Sequence, residues 1–132
     1  MCLEMTAKRV VAIILNWNGL AFTEKCCSSL ATLNNSSQLR IIIVDNGSTA
    51  HTLDELVAGC PNAEVISSGA NLGFAGGNDF GFKYIQKQGY EYDAIWLLNN
   101  DTECKPDALE SLLSPLKKIL RLTKKTRCSY YI

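Results

Sequence analysis

Three stretches of this 132-residue chain carry side chains whose types and spacing suit anion and cation chemistry. The first is Asn99-Asn100-Asp101-Thr102, directly after the apolar Trp96-Leu97-Leu98. A carboxylate at the end of a strand can hold Mg2+ or Mn2+ while phosphate oxygens and water fill the ion's other positions. An ion held there would neutralise charge growing on a departing nucleoside diphosphate. Asn99 can take a sugar hydroxyl or a metal-bound water, and the plainer role for Asp101 is a turn or helix cap. The second stretch is Asn71-Leu72-Gly73-Phe74-Ala75-Gly76-Gly77-Asn78. Its glycines permit close backbone approach, and it opens a helix whose first N–H groups favour an anion such as a diphosphate. A glycine-rich turn used for packing is the alternative. Neither Gly-x-Gly-x-x-Gly nor Gly-x-x-x-x-Gly-Lys is present, so dinucleotide and P-loop readings lack their specific signal. The third is Asp45-Asn46-Gly47-Ser48, where Asp45 suits a base N–H or a ribose hydroxyl, or else a simple Asx-turn. Trp17, in Asn16-Trp17-Asn18-Gly19, can stack on a base or cap the core.

These words need a scaffold that aligns them. Four short runs, Val10–Leu15, Leu39–Val44, Ala63–Ile66 and Ala94–Leu98, are rich in β-branched or bulky apolar residues and end at turn formers. Their near-continuous apolar character predicts strands buried on both faces, as in a parallel sheet. Helical patterns lie between them. Leu20–Leu33 places Leu20, Cys27, Leu30 and Leu33 on roughly one face. Thr52 and Glu55 have capping-box spacing, with Gly59 and Pro61 as a stop. Phe74–Gln88 ends at Gly89, and a fourth helix has Pro106 at its first position before Leu109, Leu112, Leu113 and Leu116, with Pro115 as a kink or stop. The βαβαβαβα order predicts a layered α/β domain. In a parallel sheet the four words share the carboxyl edge, where open α/β sheets bind ligands.

Composition excludes several classes. Hydrophobic residues at 47% and charged residues at 20% describe a globular domain with a core, not disorder. Thirteen Lys plus Arg balance thirteen Asp plus Glu, which leaves no global field to hold nucleic acid. The longest apolar run, Val10–Leu15, is far shorter than the roughly 20 residues of a membrane span, and no signal-peptide cleavage pattern follows it. Six cysteines (2, 26, 27, 60, 104, 128) include no Cys-x-x-Cys pair, and they read as reduced apolar fillers in a cytoplasmic protein. His51, the only histidine, adds little as a ligand. Beyond Glu110 come six basic residues and no acidic one. A solvated tail over 117–132 is the plain reading, and contact with an anionic membrane surface the sharper one.

Taken together, Val11–Gly19, Ile43–Thr49, Asn71–Asn78 and Leu97–Thr102 resemble the words of family-2 glycosyltransferases, and within them the rhamnosyltransferase-like group. The similarity runs from about Val10 to about Leu116. It implies a Rossmann-like GT-A fold, a nucleotide-diphospho-sugar donor, Mg2+ or Mn2+, and inversion at the anomeric carbon. By this resemblance Asn16, Trp17 and Asp45 lie near base and ribose, and Asn71, Gly73, Gly76 and Asn78 line the donor pocket. Asp101 matches the metal-binding last position of the Asp-x-Asp-like motif, whose first position here is Asn99. Asp79 stands where the group often has Asn, and Ala50 where Asp is frequent.

In that family the acceptor site and the general base come after this region. The resemblance therefore implies a donor-binding half, residues 1–116, with a basic tail at 117–132 that is truncated or frameshifted relative to the family pattern. Donor binding without efficient transfer to a glycan or lipid-linked acceptor is the resulting expectation. A different class is a non-catalytic module that keeps the fold and docks or self-associates through an exposed sheet edge. A nucleotidyltransferase ranks last, because no basic residue follows the first strand to handle a triphosphate.

Overall fold

A computed structural model describes residues 9–114 and the backbone of 130–131. Cys2, Cys128, Pro115 and the basic residues of 117–127 lie outside the described residues, and so do the expectations placed on them. Four parallel strands form the sheet: β1 (Val10–Asn16), β2 (Leu39–Asp45), β3 (Glu64–Ser67) and β4 (Ala94–Asn99). Each extends one residue further at its carboxyl end than the apolar runs suggest. The backbone of Tyr130–Tyr131 adds a short strand, β5, parallel to the start of β4. Strand order is β3-β2-β1-β4-β5, so the chain reverses its direction of growth between β1 and β4. Such a reversal opens a crevice at the carboxyl ends of the two strands.

Helices α1 (Leu20–Ala31), α2 (Leu53–Gly59) and α3 (Gly73–Gln88) alternate with the strands, and residues 108–114 form a further helical segment. Alternation along each strand divides the core into two layers. Val10, Ala12 and Ile14 pack with Cys26, Cys27 and Leu30 of α1, Leu56 of α2, and Leu109 and Leu113. Val11 and Ile13 face the opposite way, toward Ile85, Phe80 and Phe82 of α3. Apolar runs without alternation thus mean what they should: helices cover both faces. The exception is β3, an edge strand whose Glu64, Val65 and Ile66 are only half-buried.

Local chemistry sets the helix ends. Thr52 caps α2: its hydroxyl accepts from Glu55 N–H at 3.1 Å, and Glu55 accepts from Thr52 N–H at 2.7 Å. Together they form a reciprocal capping box. Gly89 ends α3 in the left-handed conformation at φ +69°. Pro106 does not occupy the first helical turn; it lies in the preceding turn, where Ala108 N–H bonds Lys105 O and Ser111 N–H bonds Asp107 O. Cys26, Cys27 and Cys60 are free and buried, and burial pushes the Cys26 thiol up to about 12. The β4 side chains Trp96 and Leu98 are also buried.

Candidate functional site

Register aligns the four words. Asn16 pairs with Asp45, Asp45 with Ser67, and Leu15 with Asn99, so the loops beginning there leave the sheet side by side. The edge expected from the strand pattern therefore exists, and its chemistry falls into three groups.

The first centres on Asn16 and Asp45. Asn16 is wholly buried and Asp45 is 6% exposed. Asn16 Nδ2 donates to Asp45 Oδ1 at 2.9 Å, and lies 3.3 Å from Ser48 Oγ and 2.8 Å from His51 Nε2. Its Oδ1 accepts from the Thr23 hydroxyl at 2.7 Å, and the Asp45 carboxylate, which only accepts, fixes the orientation of the amide. Asp45 Oδ2 accepts from Ser48 N–H at 3.3 Å, three residues on rather than the two of the Asx-turn considered as the plain alternative. Each carboxylate oxygen retains a further lone pair. His51 also belongs to this group through its ring, with a side chain 3% exposed and Nε2 3.9 Å from Asp45 Oδ1. The Thr52 carbonyl lies 2.9 Å from Nδ1. Nδ1 therefore carries the proton and Nε2 accepts from Asn16.

The second group locks the glycine-rich segment. Asn46, 4% exposed, donates to Asn71 Oδ1 at 3.3 Å and to Gly73 O at 3.1 Å, and accepts from Leu72 N–H and the Ser68 hydroxyl, each at 3.1 Å. Asn71 Oδ1 also receives Gly73 N–H at 2.9 Å. The glycines divide between the two roles considered. Gly73 begins α3 at φ +74° with open space where a side chain would be. Gly76 fits against Leu72, and Gly77 against Leu15 and Asn46, where a Cβ would come within 3.0 and 2.8 Å. Packing accounts for Gly77, and a side chain at Gly76 would press on Leu72.

The third group surrounds a cavity of about 220 Å³. Leu15, Phe74 and Leu98 supply apolar walls, and Asn78, Asn99, Asn100 and Asp101 polar ones. Asn78 is anchored by its amide on Phe74 O at 3.0 Å. Phe74 is 65% exposed at this cavity, and Trp17, 56% exposed, is no core cap. Among the described residues no three His, Cys, Asp or Glu side chains gather to enclose a metal. One exposed carboxylate flanked by amides suits a hard cation that takes its remaining ligands from phosphate and water. Asp79 points to other work: it pairs with Lys83 at 2.8 Å on the surface of α3. A larger hollow of about 520 Å³ opens beside the other ends of the strands. Its charges are paired already, Arg9 with Glu91 and Arg40 with Glu64, and it holds none of the expected residues.

Sequence reasoning missed Thr23, Asn46 and His51. Asn46 is signalled by its place after Asp45, whereas Thr23 and His51 reach the edge only through the positions of α1 and the loop before α2.

No curated protein matches the chain. The sequence pattern of glycosyl transferase family 2 matches residues 11–121, which contain all four strand-end words. With these words on one edge of a parallel α/β sheet, the chain belongs to glycosyl transferase family 2.

Proposed function

We propose that this domain performs the donor half of an inverting, cation-dependent glycosyl transfer. The observation that carries the reading is the exposed Asp101 on a monosaccharide-sized cavity, at the same sheet edge as the buried Asn16–Asp45 pair. The donor is a nucleotide-diphospho-sugar. Its base and ribose lie near Asn16, against Trp17 and the free lone pairs of Asp45, which the buried Asn16 holds in place. Asn71, Gly73, Gly76 and Asn78 line the donor pocket, and Asn99 takes a sugar hydroxyl. Asp101 would hold Mg2+ or Mn2+, which when bound stabilises negative charge on the diphosphate. In the transfer, the acceptor hydroxyl oxygen bonds to the anomeric carbon as the bond from that carbon to the diphosphate breaks. A general base receives the hydroxyl proton, and the nucleoside diphosphate departs. No described residue is assigned as that base. A glycan or lipid-linked chain is the proposed acceptor, and a rhamnosyl donor the narrower choice.

Calorimetric titration with UDP-glucose and dTDP-rhamnose, each with and without Mn2+, tests this. Wild-type heats that grow with Mn2+, and an Asp101→Ala variant at least about tenfold weaker in the presence of the ion, are expected. Identical heats in the two proteins overturn the metal role. No heat from either donor overturns the donor reading and leaves the docking module.

A further inference from the structure

The two charged ends of the site are joined by a single hydroxyl. Thr23, on the second turn of α1, is wholly buried. Its Oγ1 donates to Asn16 Oδ1 at 2.7 Å and accepts from Asn100 Nδ2 at 3.2 Å. Asn16 in turn holds Asp45 at 2.9 Å, and Asn100 is the chain neighbour of Asp101. The backbone makes room for this link. A Cβ on Gly19 would lie 2.8 Å from Asn100 Nδ2, so only glycine there lets the amide reach under the start of α1. No described buried side-chain polar atom lacks a partner, so losing the hydroxyl would strand Asn16 Oδ1 within the core.

We infer that Thr23 is a positioning residue: its hydroxyl sets the nucleotide-facing Asn16–Asp45 pair and the cation-facing Asn100–Asp101 loop at one fixed spacing. This rests on the donor reading above. A donor that spans both ends meets them already aligned, which lowers the ordering cost of binding. Valine matches threonine in shape and lacks the hydroxyl, while serine keeps the hydroxyl and loses only a methyl group.

Two probes separate the ends: metal-free UDP for the first and Mn2+ alone for the second. Thr23→Val is expected to weaken each by about three- to tenfold, and Thr23→Ser to stay within about twofold of wild type. In spectra without ligand, the Asn16 and Asn100 side-chain amide resonances both shift in Thr23→Val and return in Thr23→Ser. Gly19→Ala displaces Asn100 while leaving Thr23 and Asn16 bonded, so it weakens Mn2+ more than UDP. It also keeps the question open to experiment should Thr23→Val not fold. A folded Thr23→Val with unchanged amide resonances, or with only one affinity reduced, overturns the inference. So does a Gly19→Ala chain that binds Mn2+ like wild type. A wild-type chain that binds neither probe, nor either donor in the presence of Mn2+, overturns the donor reading itself.

Discussion

At the scale of single residues, the site owes its shape to amides that are fully used. Asn16 offers two amide hydrogens to Asp45, Ser48 and His51, and its oxygen is taken by Thr23. A buried donor that loses its acceptor costs about 1–3 kcal/mol, more than the bond contributes when made. His51→Phe keeps a ring of similar width and removes the Nε2 acceptor, the shortest contact of Asn16 Nδ2, leaving only the longer one to Ser48 for the second hydrogen. Urea unfolding is expected to show a loss of about 1–3 kcal/mol, and metal-free UDP binding should weaken as Asp45 loses its fixed neighbour. An unchanged urea midpoint would remove His51 from the network. Asp101 is the opposite kind of residue. It is exposed, and under the proposed donor reading it would take a cation, so its replacement should cost binding and leave stability intact.

At the scale of elements, loops that carry the chemistry are pinned to one another. Asn18 Oδ1 accepts from Thr49 N–H at 2.7 Å and Ala50 N–H at 2.9 Å, tying the loop after β1 to the loop after β2. Asn46 ties the loop after β2 to the start of α3. These loops touch closely at Gly47, which sits at φ +80° with a would-be Cβ 2.7 Å from the Ala70 carbonyl carbon and the Asn71 nitrogen. Backbone atoms cannot swing aside as a side chain can. Gly47→Ala is therefore expected to destabilise by at least about 1–2 kcal/mol from the left-handed backbone alone, with the clash added. Thermal unfolding checks the stability loss. A melting temperature equal to wild type would show that the two loops separate freely.

At the scale of the whole molecule, the edge strand β3 is fastened by charge where its packing is thin. Glu64 accepts from Tyr84 and Tyr90 hydroxyls at 2.9 and 2.8 Å and from Arg40 at 2.6 Å, and the Arg40 guanidinium stacks 3.8 Å from the Tyr90 ring centre. Burial pushes the Glu64 carboxyl up, but the hydrogen bonds from Tyr90, Tyr84 and Arg40 outweigh it and hold the group below its ordinary 4.5. The same carboxylate pushes the Tyr84 hydroxyl up to about 12. A lowered folded value means the ionised form is favoured by folding. Its contribution is complete above 4.5 and is lost as pH falls through the lowered value. Melting temperatures between about pH 6 and pH 2 should fall more steeply for wild type than for Glu64→Gln. Parallel curves would show that the cluster adds nothing to acid sensitivity.

Much of this was legible in the sequence. Uninterrupted apolar runs such as Val10–Leu15 fix parallel strands because side chains on both faces need cover, and Thr52 with Glu55 fixes a helix start through two local bonds. The words ending those strands, with Asp45, Asn71 and Asp101, fall on one edge because parallel strands bring their ends together. The limits were physical as well. Periodicity cannot show that β3 lies at an edge, so its half-buried state and its Glu64 cluster depend on strand order. Nor can spacing reveal Thr23 or His51. Thr23 sits within an ordinary amphipathic helix, and His51 is a lone histidine in a loop. Each gains its partners from residues on other elements: Thr23 from Asn100, 77 positions away, and His51 from Asn16, 35 positions away. Local sequence determined which elements form and which of their ends carry chemistry. Tertiary packing alone decided which buried hydrogen bonds hold those ends, because such bonds depend on distances set only when helices close over the sheet.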